Sequence, residues 1–233
     1  MTGGVERGKL LVTEGIDGSG KSLQTDLLVG KLRSIGLTVY VDDYPRYETS
    51  FWGRHVGRML KGDFGDPMKI DPSLTCLPYL LDEADGSRAN EARLQNGVWV
   101  VSNRYFTSNI HQIAKLPVAE REEYARWLWQ AGYGELGILR PDLVTVLLVD
   151  PLVCRENIGK KAERKYTGGE VLDYAEKDFG HQMVAAEEYR RMVDKNPDWW
   201  VAIECCVEGK LLTPEQIHEM VWGEIEARNI LKG

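Results

Sequence analysis

At 233 residues the chain has room for one well-buried α/β domain with inserted segments, about two domains being the outer limit. Its 29 lysines and arginines stand against 36 aspartates and glutamates, and the net charge of −7 argues against wholesale binding of a nucleic acid polymer or an anionic membrane and for a small ligand. Four cysteines without CxxC spacing, no apolar signal segment near Met1, and no run of about 18 apolar residues lead to the expectation of a reduced, cytoplasmic protein.

In chain order, residues 9–14 read as a buried strand that runs into Gly15-Ile16-Asp17-Gly18-Ser19-Gly20-Lys21-Ser22, a complete phosphate-binding P-loop pattern. Glycine admits the positive φ that curls backbone N–H groups into an anion-sized nest. Gly15, Gly18, Ser19 and Gly20 are therefore assigned to ATP, with Lys21 reaching the outer phosphates and the Ser22 hydroxyl turned to Mg²⁺. Beyond Ser22, Leu23, Leu27, Leu28, Leu32 and Ile35 recur at helical spacing until Gly36, so a helix starts at the loop and aims its positive end at the phosphates.

Further strands are expected at 38–42, 98–102, 143–150 and 199–203, each rich in β-branched or aromatic residues and separated by helical patterns. Alternation of this kind predicts a parallel sheet of about five strands with helices on both faces and ligands at the carboxyl ends of the strands. The segment 51–96 is too long for a simple crossover. Within it Leu74, Leu77, Leu81 and Ala84 form one stripe, expected to bend at Pro78, and the whole segment is expected to wall an acceptor pocket. At the far end Thr213-Pro214-Glu215-Gln216 spells a threonine cap, a proline at the first helical position and a capping glutamine, followed by Ile217, Met220, Val221 and Ile225.

The P-loop, Tyr44-Pro45-Arg46 after the second strand, Asn103-Arg104-Tyr105 after the third and Pro141-Asp142-Leu143 opening the fourth occur in the order seen in thymidylate kinases, and the chain resembles that family over nearly its whole length. The resemblance implies a single P-loop kinase domain over residues 1–233, with a mobile lid at about 156–172, that moves the γ-phosphate of ATP to a deoxynucleoside monophosphate, dTMP above all. It also implies Mg²⁺ and a homodimer. Carried over by position, Asp17 corresponds to the carboxylate that contacts the acceptor sugar, with a loop-capping role as its alternative. Tyr44 and Tyr79 fall where aromatic rings flank the pyrimidine, Tyr79 being equally readable as a core tyrosine. Arg46 lies one position from the arginine that grips the acceptor phosphate, and Arg104 matches the arginine between donor and acceptor. Asn109 and Gln112 are implied pocket-lining amides. In the lid Lys160, Lys161, Arg164 and Lys165 gather positive charge, and because Gly18 stands where some relatives carry a catalytic arginine, Arg164 is the expected third catalytic residue beside Lys21 and Arg104.

Two departures from the family pattern stand out. Asn103 replaces the aspartate usual before the arginine, so Mg²⁺ leans on Ser22, nucleotide oxygens and another carboxylate such as Glu14. Glu83 stands near the place of the base-reading arginine, and as an acceptor-only carboxylate it would favour an amino group on the base over a carbonyl. These departures leave open a second nucleoside or nucleotide kinase activity, or a nucleotide binder whose turnover has faded.

Overall fold

The computed structural model describes residues 6–158 and 178–232. Its centre is a sheet of five parallel strands in the order β2-β3-β1-β4-β5, formed by β1 (Leu10–Glu14), β2 (Val39–Asp43), β3 (Trp99–Asn103), β4 (Leu143–Leu148) and β5 (Trp200–Glu204). Every residue of β1 is buried, and β3 and β4 open to partial exposure at one terminal position each, so both faces of the central strands are covered. Continuous apolar runs such as Leu143-Val144 and Val146-Leu147 suit that double burial. The edge strand β2 is less covered, with Val39 and Asp42 buried and Tyr40, Val41 and Asp43 exposed.

Helix α1 (Lys21–Ser34) leaves the loop after β1 and lies against β1, β2 and β3. Its buried face carries Gln24, Thr25, Leu28, Val29 and Leu32, whereas Leu23 and Ile35, read from the sequence as part of the stripe, are exposed. Leucine content drew the stripe one step around the helix from where the sheet sets it. The acceptor-side segment divides into α2 (Phe51–Lys61), the single turn α3 (Pro72–Thr75) and α4 (Leu77–Gln95). Pro78 does not bend a helix: it occupies the first turn of α4, where its missing N–H has no partner to lose, and Leu74 and Leu77 are exposed.

After β3 come a 3₁₀ turn (Phe106–Asn109), the short α5 (Ile110–Ile113) and α6 (Val118–Trp129), which widens into a π turn at Gln130–Glu135. Helix α7 (Pro151–Ile158) follows β4, and α8 (Phe179–Lys195) returns the chain against β4, β5 and α5. A small antiparallel hairpin, β6 (Cys206–Val207) with β7 (Lys210–Leu211), precedes α9 (Pro214–Ala227). The capping box expected at Thr213 and Gln216 is present, and Ile217, Val221 and Ile225 turn inward. Trp200, Tyr105, Tyr189 and Phe106 are the largest fully buried side chains, each contributing about 1.5–3 kcal/mol of apolar burial. Tyr105 and Phe106 sit immediately after β3, so the core anchors the segment that carries the site.

Candidate active site

The sheet reverses its winding at β1, which lies between β3 and β4, and the P-loop emerges at that reversal, on the carboxyl ends of the strands. Gly15, Gly18 and Gly20 have φ values of 141°, 85° and 89°, a region closed in practice to other residues. Crowding separates their duties. A Cβ on Gly18 would stand 2.2 Å from the Cys154 carbonyl oxygen and one on Gly15 would stand 2.7 Å from Ser19 Oγ, whereas nothing lies within 4 Å of one on Gly20. The loop is therefore pressed against α7 on one side and open at Gly20. Lys21 Nζ arches over the loop, donating to the carbonyls of Gly15 and Ile16 at 3.0 and 2.8 Å.

A cavity of about 630 Å³ extends from the loop between α2, α4, α5 and α8, a size usual for a small-molecule site. Lys21, Ser22, Asp17, Asp43, Asn103 and Arg104 line its loop end; Tyr44, Pro45, Met59, Leu60, Met68 and Tyr79 line the opposite, more apolar part. Arg104 adopts φ 63°, an unusual conformation for a side-chain-bearing residue. Its backbone N–H holds Thr13 O, Ser102 Oγ donates to its carbonyl, and its guanidinium pairs with Asp17 Oδ1 and reaches Ser108 Oγ. Burial opposes the charge on Arg104, but Asp17, with Tyr189 and Glu14 behind it, raises its pKa above the ordinary value. The arginine is charged at any working pH. Asp17 is held from the other side by Gln182 of α8, which exchanges two hydrogen bonds of 3.3 Å with its backbone N–H and its Oδ2.

Several sequence-derived assignments move. Arg46 does not line the cavity: its guanidinium is tied to Asp82 Oδ1, the Asp82 carbonyl and Asp85 Oδ2 at 3.1, 2.6 and 2.8 Å, which fixes the loop after β2 to α4. The neighbouring Tyr47 faces the cavity instead. Asn109 is turned to the Phe106 carbonyl and to Glu83 Oε2 and is likewise outside the lining, while Gln112 is within it. Tyr44 lies mostly in the core, its ring edge-on to Tyr105 at 5.6 Å, and Gly86 supplies the space for its hydroxyl, which would stand 1.9 Å from a Cβ there. Tyr79 is the half-buried aromatic ring of the apolar end. Glu14 is withdrawn from any metal role, because Thr107, Ser108 and Tyr189 all donate hydroxyl hydrogen bonds to it in full burial. The lid residues Lys160, Lys161, Arg164 and Lys165 lie outside the described residues.

Glu83 departs from its sequence reading in charge state. It is 2 % exposed, and burial, reinforced by the nearby Asp82 and Glu14, pushes its carboxyl well above the ordinary carboxylate range despite the Asn109 hydrogen bond. That shift favours the protonated form, which can donate as well as accept. Sequence reasoning also missed a histidine pair in the cavity wall. His111 Nδ1 and His181 Nε2 are 3.4 Å apart, and burial lowers both pKa values, that of His181 to about 4, so the pair is neutral. Nothing in the local sequence signals this pairing between α5 and α8.

Oxygen donors suited to a hard cation gather at the loop end, namely Ser22, Asp43 and the Asn103 amide, with Asn103 Nδ2 donating to Asp43 Oδ1 at 2.8 Å and to Ser22 Oγ at 3.3 Å. Among the described residues no three His, Cys, Asp or Glu side chains converge into a self-sufficient metal centre, so a cation here would share its ligands with a nucleotide.

The fold has close relatives. The thymidylate kinase from Candida albicans superposes with a TM-score of 0.72 at 20 % identity, over 96 % of this chain and 93 % of that one. In sequence, the thymidylate kinase of Mycobacterium tuberculosis strain H37Rv is 27 % identical over 184 residues, covering 78 % of this chain and 85 % of the relative. That of Plasmodium falciparum is 27 % identical over 186 residues, covering 78 % and 82 %. The family model described as thymidylate kinase matches residues 13–204, from the end of β1 to the end of β5 and with every motif of the cavity inside it, and on that match the chain belongs to the thymidylate kinase family.

Proposed function

We infer that the protein transfers the γ-phosphoryl group of ATP to the phosphate of dTMP, giving ADP and dTDP. The observation that carries this reading is the shared cavity: a P-loop with Lys21 and the charged Arg104 at one end, a half-buried aromatic ring and a buried carboxyl with a raised pKa at the other. An acceptor with its phosphate beside Arg104 would reach toward Tyr79 and Glu83 with its base. Glu83 in its protonated form, which burial favours, would admit a thymine carbonyl that a charged carboxylate would repel. Asp17, oriented by Arg104 and Gln182, is placed for a sugar hydroxyl.

Little covalent work falls to the protein in such a transfer. The Gly15–Gly20 loop and the start of α1 direct N–H groups at the donor phosphates, Lys21 neutralises charge on the transferred group, and Arg104 bridges toward the acceptor. Mg²⁺, held by Ser22 and the oxygens around it, would supply further charge neutralisation at the nucleotide phosphates. We also propose that the chain acts as one kinase domain whose lid, at about 156–172, brings Arg164, and that it works as a cytoplasmic homodimer. Family membership supports these points, and no described helix is long and apolar enough to cross a membrane.

The test is a coupled ADP-release assay over dTMP, dUMP, dCMP and the purine monophosphates at fixed ATP, scored as kcat/KM ratios. The Candida albicans relative is described as having broad substrate specificity, so the whole panel is required. Highest kcat/KM with dTMP is expected. A preference for dCMP or a purine would reject the base assignment, and no turnover with any monophosphate would reject the reaction.

A further inference from the structure

We propose that Asp43, at the end of β2, carries the negative charge of the divalent-cation site, with Asn103 beside it on β3 as the donor that orients it. The proposal rests on the kinase reading above. Asp43 and Asn103 are direct neighbours in the parallel register of β2 and β3, and both strands end there, at the cavity. The Asn103 amide links Asp43 Oδ1, 2.8 Å away, to the Ser22 hydroxyl, 3.3 Å away, so a side chain on the edge strand is tied to the first turn of α1.

The other carboxylates of the neighbourhood are committed. Glu14 accepts from three buried hydroxyls. Asp17 is paired with Arg104, and Asp42 is buried, with Asn90 Nδ2 at 2.8 Å from its Oδ2. Asp43 alone of these faces the cavity as an exposed side chain, and among the described residues it forms no ion pair and its Oδ2 accepts no hydrogen bond. Asp43 thus supplies a carboxylate at the strand ends, and the Asn103 amide is the donor that orients it. A neutral amide at Asn103 therefore does not entail a weakened cation site.

The experiment uses the full chain with adenylyl imidodiphosphate and Mn²⁺, reading free Mn²⁺ by electron paramagnetic resonance. Asp43→Asn should weaken nucleotide-dependent Mn²⁺ binding roughly 10–100-fold, the usual effect of losing a metal-site partner, with metal-free nucleotide affinity unchanged. The exchange Asp43→Asn with Asn103→Asp should restore most of the loss, and Asn103→Asp alone, which removes no carboxylate, should bind Mn²⁺ at least as tightly as the parent. Unaltered Mn²⁺ affinity in a folded Asp43→Asn protein, or no recovery in the exchanged double variant, overturns the proposal while leaving the kinase reading intact. Should Asp43→Asn fail to fold, Asp43→Ser serves in its place, and unaltered Mn²⁺ affinity in that variant overturns the proposal instead. Absence of any nucleotide-dependent Mn²⁺ binding by the parent would overturn the kinase reading together with this one.

Discussion

Lys21 is 7 % exposed and donates to the Gly15 and Ile16 carbonyls of its own loop, so its ammonium is preorganised at the mouth of the phosphate nest. Replacing it by alanine removes that charge and leaves the apolar core untouched. Lys21→Ala is expected to retain the parent's circular dichroism spectrum and to lose at least about 10²–10³ in kcat, the scale on which preorganised electrostatic donors act. Turnover and spectrum measured on the same sample check both halves. Glu83 gives a prediction of a different kind. Its carboxyl titrates from a value of 4.5 in the unfolded chain to one well above it in the fold, so its contribution to stability is full below about pH 4.5 and is lost as pH rises toward and through the folded value. Glu83→Gln keeps the shape and the neutral donor–acceptor character but does not titrate. Melting temperatures taken from pH 5 to pH 8 should diverge steadily in favour of the glutamine variant, with dTMP still the preferred acceptor.

Between elements, the contact of α5 with α8 runs through His111 and His181. Burial, with Lys115 second, lowers His181 from 6.5 to about 4, so its contribution to stability is present above pH 6.5 and is lost as pH falls through about 4. His181→Gln should flatten that acid limb, a difference on the order of a few kcal/mol at most between pH 7 and pH 4 by denaturant titration. The elements themselves were largely legible in the sequence. Strands β1 to β5 each lie within two residues of the stretches read from β-branched and aromatic content, and the Thr213 cap is read correctly because its signal is local. What the sequence could not convey depends on partners far along the chain. Arg46 meets carboxylates 36 and 39 residues away, and Gln182 reaches Asp17 across 165 residues. Glu83 reads as a charged carboxylate until α4 is known to bury it. Residue type encodes the loop; placement encodes charge state and pairing.

At the scale of the whole molecule, the reversal of sheet order at β1 brings the P-loop, the ends of β2 and β3, and the start of α7 to one place. Gly18 is the point of closest approach, with the Cys154 carbonyl where its Cβ would be and Asn157 Nδ2 donating to its own carbonyl at 3.2 Å. Gly18→Ala meets two obstacles, a left-handed φ costing roughly 1–2 kcal/mol and a backbone overlap that no rotamer relieves. It should lower the melting temperature and raise the KM for ATP, and thermal melts with ATP titration would show both.

The tight seam between Gly18 and α7 bears on ancestry. A side chain of any size at position 18, an arginine included, would meet the Cys154 backbone, so it requires a shift of α7. The two positions form an epistatic pair: loop and helix change together or not at all.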